Sequence, residues 1–472
     1  MTRVSDRNRN TNETSDLAAD STSPFAVNLL DVGTEKYGDA VLCRFGDVSV
    51  FIDGAHRGNY EDDGSHRSIP KQLSYLLNQP GQTSTVDLLI CSHLHNDHIG
   101  CIPELVKFNR LRARYALVID PIFRWGEPNA DVAVNASPAA RALLEALSEE
   151  PRDDIDQDSF TELMADSETL DERYTRMLTT LEQRGTTVLR YGTDSIEPLQ
   201  TYLQSKSVGL EILGPRESDL PICARHILDW QSDMLDRIER GLSADSVSGP
   251  LSIYREIVGQ MLAADAPRSS GSFINLESLV TVFSYREKNF LFTGDMQMAD
   301  AETDDPDLRE GREILLSRIK DRAPYEFVKL AHHGSWNGFS EEVLSNLENT
   351  TLLGLCTGSR SGHHPAPAVL QLLQSHTDDL TWVRTDRNGQ VKMNFAGNEP
   401  DIRLSYGDFN DDSAPGGAHH DEALTPGAAE AASQQRARAG ALAIDDREYN
   451  LTLTIPKRAR RITVSIELNP EN

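Results

Sequence analysis

The run Ser92-His93-Leu94-His95-Asn96-Asp97-His98 constrains this 472-residue chain more than any other stretch of it. Three imidazoles and a carboxylate fall within six residues, directly after the apolar run Val86 to Cys91. An apolar run of that length reads as a buried strand. A buried strand keeps the loop at its end rigid, so that several ligands can converge on one point. Imidazole with carboxylate is a donor set for divalent metals, zinc above all. A polar loop that is merely rich in histidine has no need of that placement, so the cluster reads as a metal site.

The flanking sequence supplies a frame for it. Ala26 to Asp31, Ala40 to Phe45 and Val48 to Asp53 are short apolar or alternating runs separated by glycine-containing turns, which predicts consecutive strands. Ile99 to Asn109 reads as a helix and Tyr115 to Asp120 as the next strand. Strands resume at Ser278 to Ser284, Asn289 to Thr293, Phe327 to Leu330 and Leu352 to Cys356, and a helix, Ala368 to Gln374, precedes the strand Leu380 to Arg384. Such alternation implies a layered α/β or α+β domain.

Two long helical stretches, about 125–185 and 216–270, read as insertions on that core. In the first, Leu170, Tyr174, Leu178 and Leu181 form an apolar stripe stopped by Gly185. Thr187 to Tyr191 and Gly209 to Leu213 read as strands between the two. The polar residues 1–23 read as a disordered leader, which places the main domain at 24–405. A linker over 406–447 is expected next, then a C-terminal hairpin, 448–472, packing on the core around the basic turn Lys457 to Arg461.

Composition narrows the functional classes. Hydrophobic residues make up 38% and charged residues 25%, enough apolar material to exclude a wholly disordered chain. The formal charge is -28, from 74 acidic and 46 basic residues, so the average surface field repels nucleic acid and anionic membranes. A nucleic-acid substrate therefore needs a local basic patch, and the turn Lys457 to Arg461 is the one dense positive cluster. Five scattered cysteines without Cys-x-x-Cys spacing suggest neither a disulfide framework nor a thiolate metal site. With no apolar signal segment and no long apolar run, the expected location is the cytoplasm, away from membranes.

The pattern His-x-His-x-Asp-His resembles the signature of the metallo-β-lactamase superfamily. The resemblance continues through Asp53 in Phe51-Ile52-Asp53-Gly54, Asp295 in Phe290-Leu291-Phe292-Thr293-Gly294-Asp295, and Ala331-His332-His333-Gly334-Ser335. Within the superfamily the chain is most similar to the ComEC-like hydrolase domains of DNA-uptake competence channels and their stand-alone relatives. That likeness also uses Leu30-Asp31-Val32-Gly33 with Gly38-Asp39-Ala40, Asn275 with Ser278-Leu279-Val280, Gly362, His364-Pro365, and Arg384-Thr385-Asp386 with Gly389. Two local departures are a first loop widened by Thr34 to Tyr37 and Gly54-Ala55 where two glycines are usual. No channel segment is evident, so a transport role does not carry over.

The resemblance implies an αββα sandwich with helical insertions. His93 and His95 would bind a first divalent ion, Asp97 and His98 a second, and Asp295 would bridge them. His332, in preference to His333, would complete the second site, and Asp53 would organise the metal loop from behind. His226 is the one histidine between the first cluster and Asp295, but a lone helical histidine is usually structural. Two such ions lower the pKa of a bridging water towards neutrality. Asp97 would orient that water, and His364, with His363 as the alternative, would hydrogen-bond the scissile group or protonate the leaving oxygen. Ser335, Asn337, Arg384 and Thr385 are candidates to line the pocket.

Zinc suits these ligands, with manganese and iron as alternatives. The implied activity is a phosphodiesterase or nuclease acting on nucleic acid or a nucleotide-like compound. The competing readings are hydrolysis of a small ester, lactone or phosphoester, and a non-catalytic metal-stabilised component that binds a protein partner through its helical insertions.

Overall fold

The computed structural model describes residues 25–414 except 34–36, 63–65, 127–135, 149–156, 158–159, 161–167, 244–248, 262–269, 360 and 362. The leader, the hairpin and all but the first residues of the linker expected from sequence lie outside the described residues.

Among the described residues, fourteen strands form two sheets. In chain order they are β1 (Phe25–Leu29), β2 (Val41–Phe45), β3 (Val48–Ile52), β4 (Ser84–Cys91), β5 (Leu111–Ile119), β6 (Thr187–Tyr191), β7 (Val208–Gly214), β8 (Val280–Tyr285), β9 (Lys288–Phe292), β10 (Phe327–Lys329), β11 (Leu352–Leu355), β12 (Thr381–Arg384), β13 (Val391–Asn394) and β14 (Asp401–Leu404). The first sheet has the order β14-β13-β1-β2-β3-β4-β5-β6 and the second β12-β11-β10-β9-β8-β7. In each sheet an antiparallel part gives way to a parallel part, at β3–β4 in the first and β9–β10 in the second.

A side-chain period of two explains how the second sheet serves two layers. Phe290 and Phe292 of β9 join the core shared with the first sheet, while Leu291 between them joins the core under the outer helices Pro306–Arg322 and Pro367–Ser375. Aromatic rings knit the seam between sheets: Phe45 stacks on Phe283 at 5.3 Å, and Phe25 meets Phe290 edge-on at 5.4 Å. With helices on both outer faces, this is the αββα sandwich implied by the motifs.

The helices between β5 and β8 divide by what they bury. Thr169 caps the helix Leu170–Gln183 with reciprocal hydrogen bonds to Glu172, and its stripe of Leu170, Tyr174, Leu178 and Leu181 packs into the main core. A separate apolar cluster joins Leu143 and Leu147 of Pro138–Ser148, Met234, Leu235 and Ile238 of Leu220–Ser243, and Ile253 and Ile257 of Pro250–Met261. The helix read from the stripe Leu170 to Leu181 is present, and it packs into the main core of the sandwich and not into the separate helical cluster. No helix among the described residues is long and apolar enough to cross a membrane.

Candidate metal centre

Strand ends build the site. Asp53 follows β3, the histidine loop follows β4, Asp295 follows β9, His332 and His333 follow β10, and the segment carrying His364 follows β11. All leave the carboxyl ends of mutually paired parallel strands, or of strands paired to them, so loops distant in sequence meet at one edge of the sandwich. Backbone bonds lock them together: Gly54 N donates to His98 O at 2.6 Å, Asp39 N to Asp97 O at 3.1 Å and His332 N to Gly294 O at 3.1 Å.

Four buried side chains converge, with one ligand atom each from Asp97, His98, Asp295 and His333 within 4.8 Å of one another. His333 Nε2 lies 2.9 Å from Asp97 Oδ2 and 3.2 Å from Asp295 Oδ2. His98 Nε2 lies 3.1 Å from Asp295 Oδ2 and 3.5 Å from Asp97 Oδ2. Next to them His93 packs on His98 with ring centroids 4.1 Å apart, and His93 Nε2 is 3.1 Å from His95 Nδ1.

The outer nitrogens of the two central imidazoles are already spent. His98 Nδ1 donates to Asp53 Oδ2 at 2.8 Å, and Asp53 is itself held by the backbone N–H and hydroxyl of Ser92. His333 Nδ1 donates to the Cys356 carbonyl at 2.8 Å. Each bond turns Nε2 inward, the arrangement that orients an imidazole for metal. His98 Nε2 and Asp295 Oδ1 are buried without a hydrogen-bond partner among the described residues. Inward-facing imidazole nitrogens, carboxylate oxygens and orphaned buried atoms fit a divalent cation, and no cysteine belongs to that group among the described residues.

Without a cation, protons hold the carboxylates together. Burial alone lowers the pKa of His98, but Asp295, Asp97, Asp39 and Asp53 outweigh it and hold the group well above the ordinary imidazole value. His333 is raised in the same way, chiefly by Asp295 against burial. Burial opposes the charge on Asp97 and Asp295, yet the adjacent imidazoliums keep both well below the ordinary carboxylate value. Burial and the neighbouring His98 leave His93 well below its ordinary value.

The positions expected from sequence divide as follows. His93, His95, Asp97, His98 and Asp295 come together, with Asp53 behind His98. Of the late pair, the geometry brings in His333 where the sequence favoured His332. Both take left-handed backbone conformations, φ 52° and 49°, and the turn sends the first ring outward. His332 Nε2 stands 4.0 Å from Asp295 Oδ2, and its Nδ1 donates to Asn337 Oδ1 at 2.9 Å. His364 is buried beside the cluster, its ring 5.3 Å from that of His332 and 6.1 Å from that of His333, whereas His363 is exposed.

His226 is engaged elsewhere, with Nε2 3.1 Å from Asp305 Oδ2 and its ring stacked on Phe273. Ser335 donates to Asn337 Oδ1 and accepts from Gly338 N, closing a turn. Arg384 is fully buried in a two-point pair with Asp386, and Thr385 exchanges hydrogen bonds with the Thr357 backbone, so both serve structure.

Sequence reasoning gave no role to Asp39 and Lys329. Lys329 is 1% exposed, and its ammonium pairs with the Asp39 carboxylate and donates to Gly294 O at 3.1 Å. The available signal was a lone charge closing an otherwise apolar strand, Phe327-Val328-Lys329.

No protein-family model matches the chain. Among curated proteins it is similar to ComE operon protein 3 of Bacillus subtilis, with 25% identity over 158 residues, a match that spans 33% of this chain and 18% of that protein. Among solved structures, a CmlA beta-hydroxylase mutant aligns over 79% of this chain and 54% of its own, at 11% identity and TM-score 0.34. Igni18, a metallo hydrolase from the hyperthermophilic archaeon Ignicoccus hospitalis, aligns over 78% of this chain and 99% of its own, at 11% identity and TM-score 0.31. At such scores the two alignments add nothing to the geometry.

Proposed function

From a chain that has the metallo-β-lactamase fold and is distantly related to ComE operon protein 3, we propose a metal-dependent hydrolase of phosphodiesters, acting on nucleic acid or a nucleotide-like compound. The observation that carries this is the buried convergence of Asp97, His98, Asp295 and His333, with His93 and His95 alongside. In our reading His93 and His95 would hold one divalent ion, Asp97, His98 and His333 would hold a second, and Asp295 would be available to either. When bound, a pair of such ions acidifies a coordinated water and neutralises charge on the attacking and leaving oxygens of an in-line displacement.

The chain's own residues do the rest. Asp97, whose Oδ2 lies 2.9 Å from His333 Nε2, accepts a hydrogen bond from the attacking water and orients it. In our reading His364, whose ring lies 5.3 Å from that of His332, is the donor that protonates the leaving oxygen. Burial of every central group keeps bulk water from screening these charges.

A second reading, hydrolysis of a small ester, lactone or phosphoester, draws support from the net charge of -28, which disfavours a long polyanion. Hydrolysis of bis(p-nitrophenyl) phosphate, single-stranded DNA and a simple lactone, before and after chelation and on adding back zinc or manganese, separates the readings. Chelator-sensitive cleavage of the diester is the expected result. Lactone turnover without diester cleavage would favour the second reading, and no turnover of any of the three would sink both.

A further inference from the structure

We propose that Lys329 and Asp39 form a clasp between the two sheets that sets the geometry of the metal centre, with Lys329 as its positioning residue. This rests on reading the Asp97–His333 cluster as a metal centre. Lys329 ends β10 in the second sheet, whereas Asp39 lies on the loop before β2 in the first. Their ion pair therefore crosses the seam.

Each partner reaches ligands from both sides. Asp39 Oδ1 lies 3.3 Å from His333 Nδ1 and Oδ2 3.8 Å from His98 Nδ1, so one carboxylate touches the outer edge of both central imidazoles. Its backbone N–H also holds the Asp97 carbonyl at 3.1 Å, and its own carbonyl accepts from Ala55 N at 2.8 Å. The preceding Gly38 has φ +150°, and a Cβ there would stand 3.0 Å from the Asp97 carbonyl oxygen. On the other side the Lys329 ammonium is 3.8 Å from Asp295 Oδ1, which leaves Asp295 Oδ2 facing His98 Nε2 and His333 Nε2 at 3.1 and 3.2 Å. One ammonium thus fixes the rotation of two carboxylates, and through them the aim of two imidazoles.

Stability gives no reason for a charge at this position. An apolar side chain would fill a buried strand site without the desolvation that an ammonium and a carboxylate both suffer. Groups that orient ligands from behind commonly contribute 10–100-fold to metal affinity, which is a reason to keep the pair.

The test is zinc affinity of the full chain, measured by chelator competition, for wild type, Lys329→Met, Asp39→Asn and the double variant. Each single change strands a buried charge, so the double variant, which removes both, is decisive. The expected result is a double variant that melts without metal close to wild type yet binds Zn²⁺ about 10–100-fold more weakly. Wild-type zinc affinity in the double variant would overturn the proposal, and so would its failure to fold, since the pair would then be structural. If the wild type itself binds no zinc, it is the metal-centre reading that falls.

Discussion

His332 and His333 are neighbours in sequence, and the turn between them decides which one can be a ligand. Two successive left-handed residues rotate the rings apart, so that His333 Nε2 reaches both carboxylates while His332 is tied to Asn337. His333→Ala should therefore lower metal affinity at least about 100-fold, in line with loss of a ligand held by its own outer hydrogen bond, whereas His332→Ala should keep its metal and lose turnover. Metal content after dialysis, set beside kcat, checks this, and equal metal loss in both variants would contradict it. That choice was not legible in the sequence, because His-His gives no backbone angles. The cluster from His93 to His98 was legible, because spacing and the preceding apolar strand carry it. Protonation gives a second prediction at this scale. His98 and His333 have raised values, so their stabilisation of the metal-free protein is full below the ordinary imidazole value of about 6.5 and fades as pH rises through their own. Asp97 and Asp295 have lowered values, so their contribution is present above the ordinary carboxylate value and fades only in strong acid. Metal must displace the two imidazolium protons. The rise in melting temperature on adding Zn²⁺ should accordingly be larger at alkaline than at mildly acid pH, with proton release measurable by titration calorimetry in buffers of different ionisation enthalpy. A rise in melting temperature that does not change with pH would be inconsistent with the site as described.

At the scale of elements, the strands carry the candidate ligands and the seam between sheets holds the strands in place. Phe45 on Phe283, and Phe25 on Phe290, are among the ring contacts that cross that seam. Phe290→Ala should cost about 3–5 kcal/mol of unfolding free energy in denaturant titration, as for large-to-small changes at buried aromatic sites. A loss below about 1 kcal/mol would mean that the sheets do not share this core. Most strands could be read from apolar runs, including β4 and β9, which end at candidate ligands. The short β13 and β14 could not, since Lys392, Asn394, Asp401 and Arg403 interrupt them and their place comes from pairing beside β1. The helix Leu170–Gln183 shows the same limit: its stripe was visible, but the surface it covers is a property of the assembled sandwich.

For the molecule as a whole, the charge of -28 and the metal centre pull in different directions for an anionic substrate. Repulsion by the average field is long-ranged and screened by salt, whereas attraction at a buried site is short-ranged and is not. If the substrate is a polyanion, kcat/KM for single-stranded DNA should rise as ionic strength goes from about 0.02 to about 0.15 M, while that for a small diester changes little. A fall for DNA over that range would point to a basic track and reverse this view of the surface. The sandwich and the positions of its candidate ligand loops followed from patterns along the chain, but the Lys329–Asp39 pair joins residues farther apart in sequence than Asp97 and Asp295, and no local pattern announces it. The most direct test of the account is the divalent metal held per chain after equilibrium dialysis against Zn²⁺ or Mn²⁺, for wild type and for His98→Ala and Asp295→Ala. Two ions retained by the wild type, with most of that lost in each variant, is the predicted result. A wild type that retains no metal, or variants that retain as much as it does, would contradict the account.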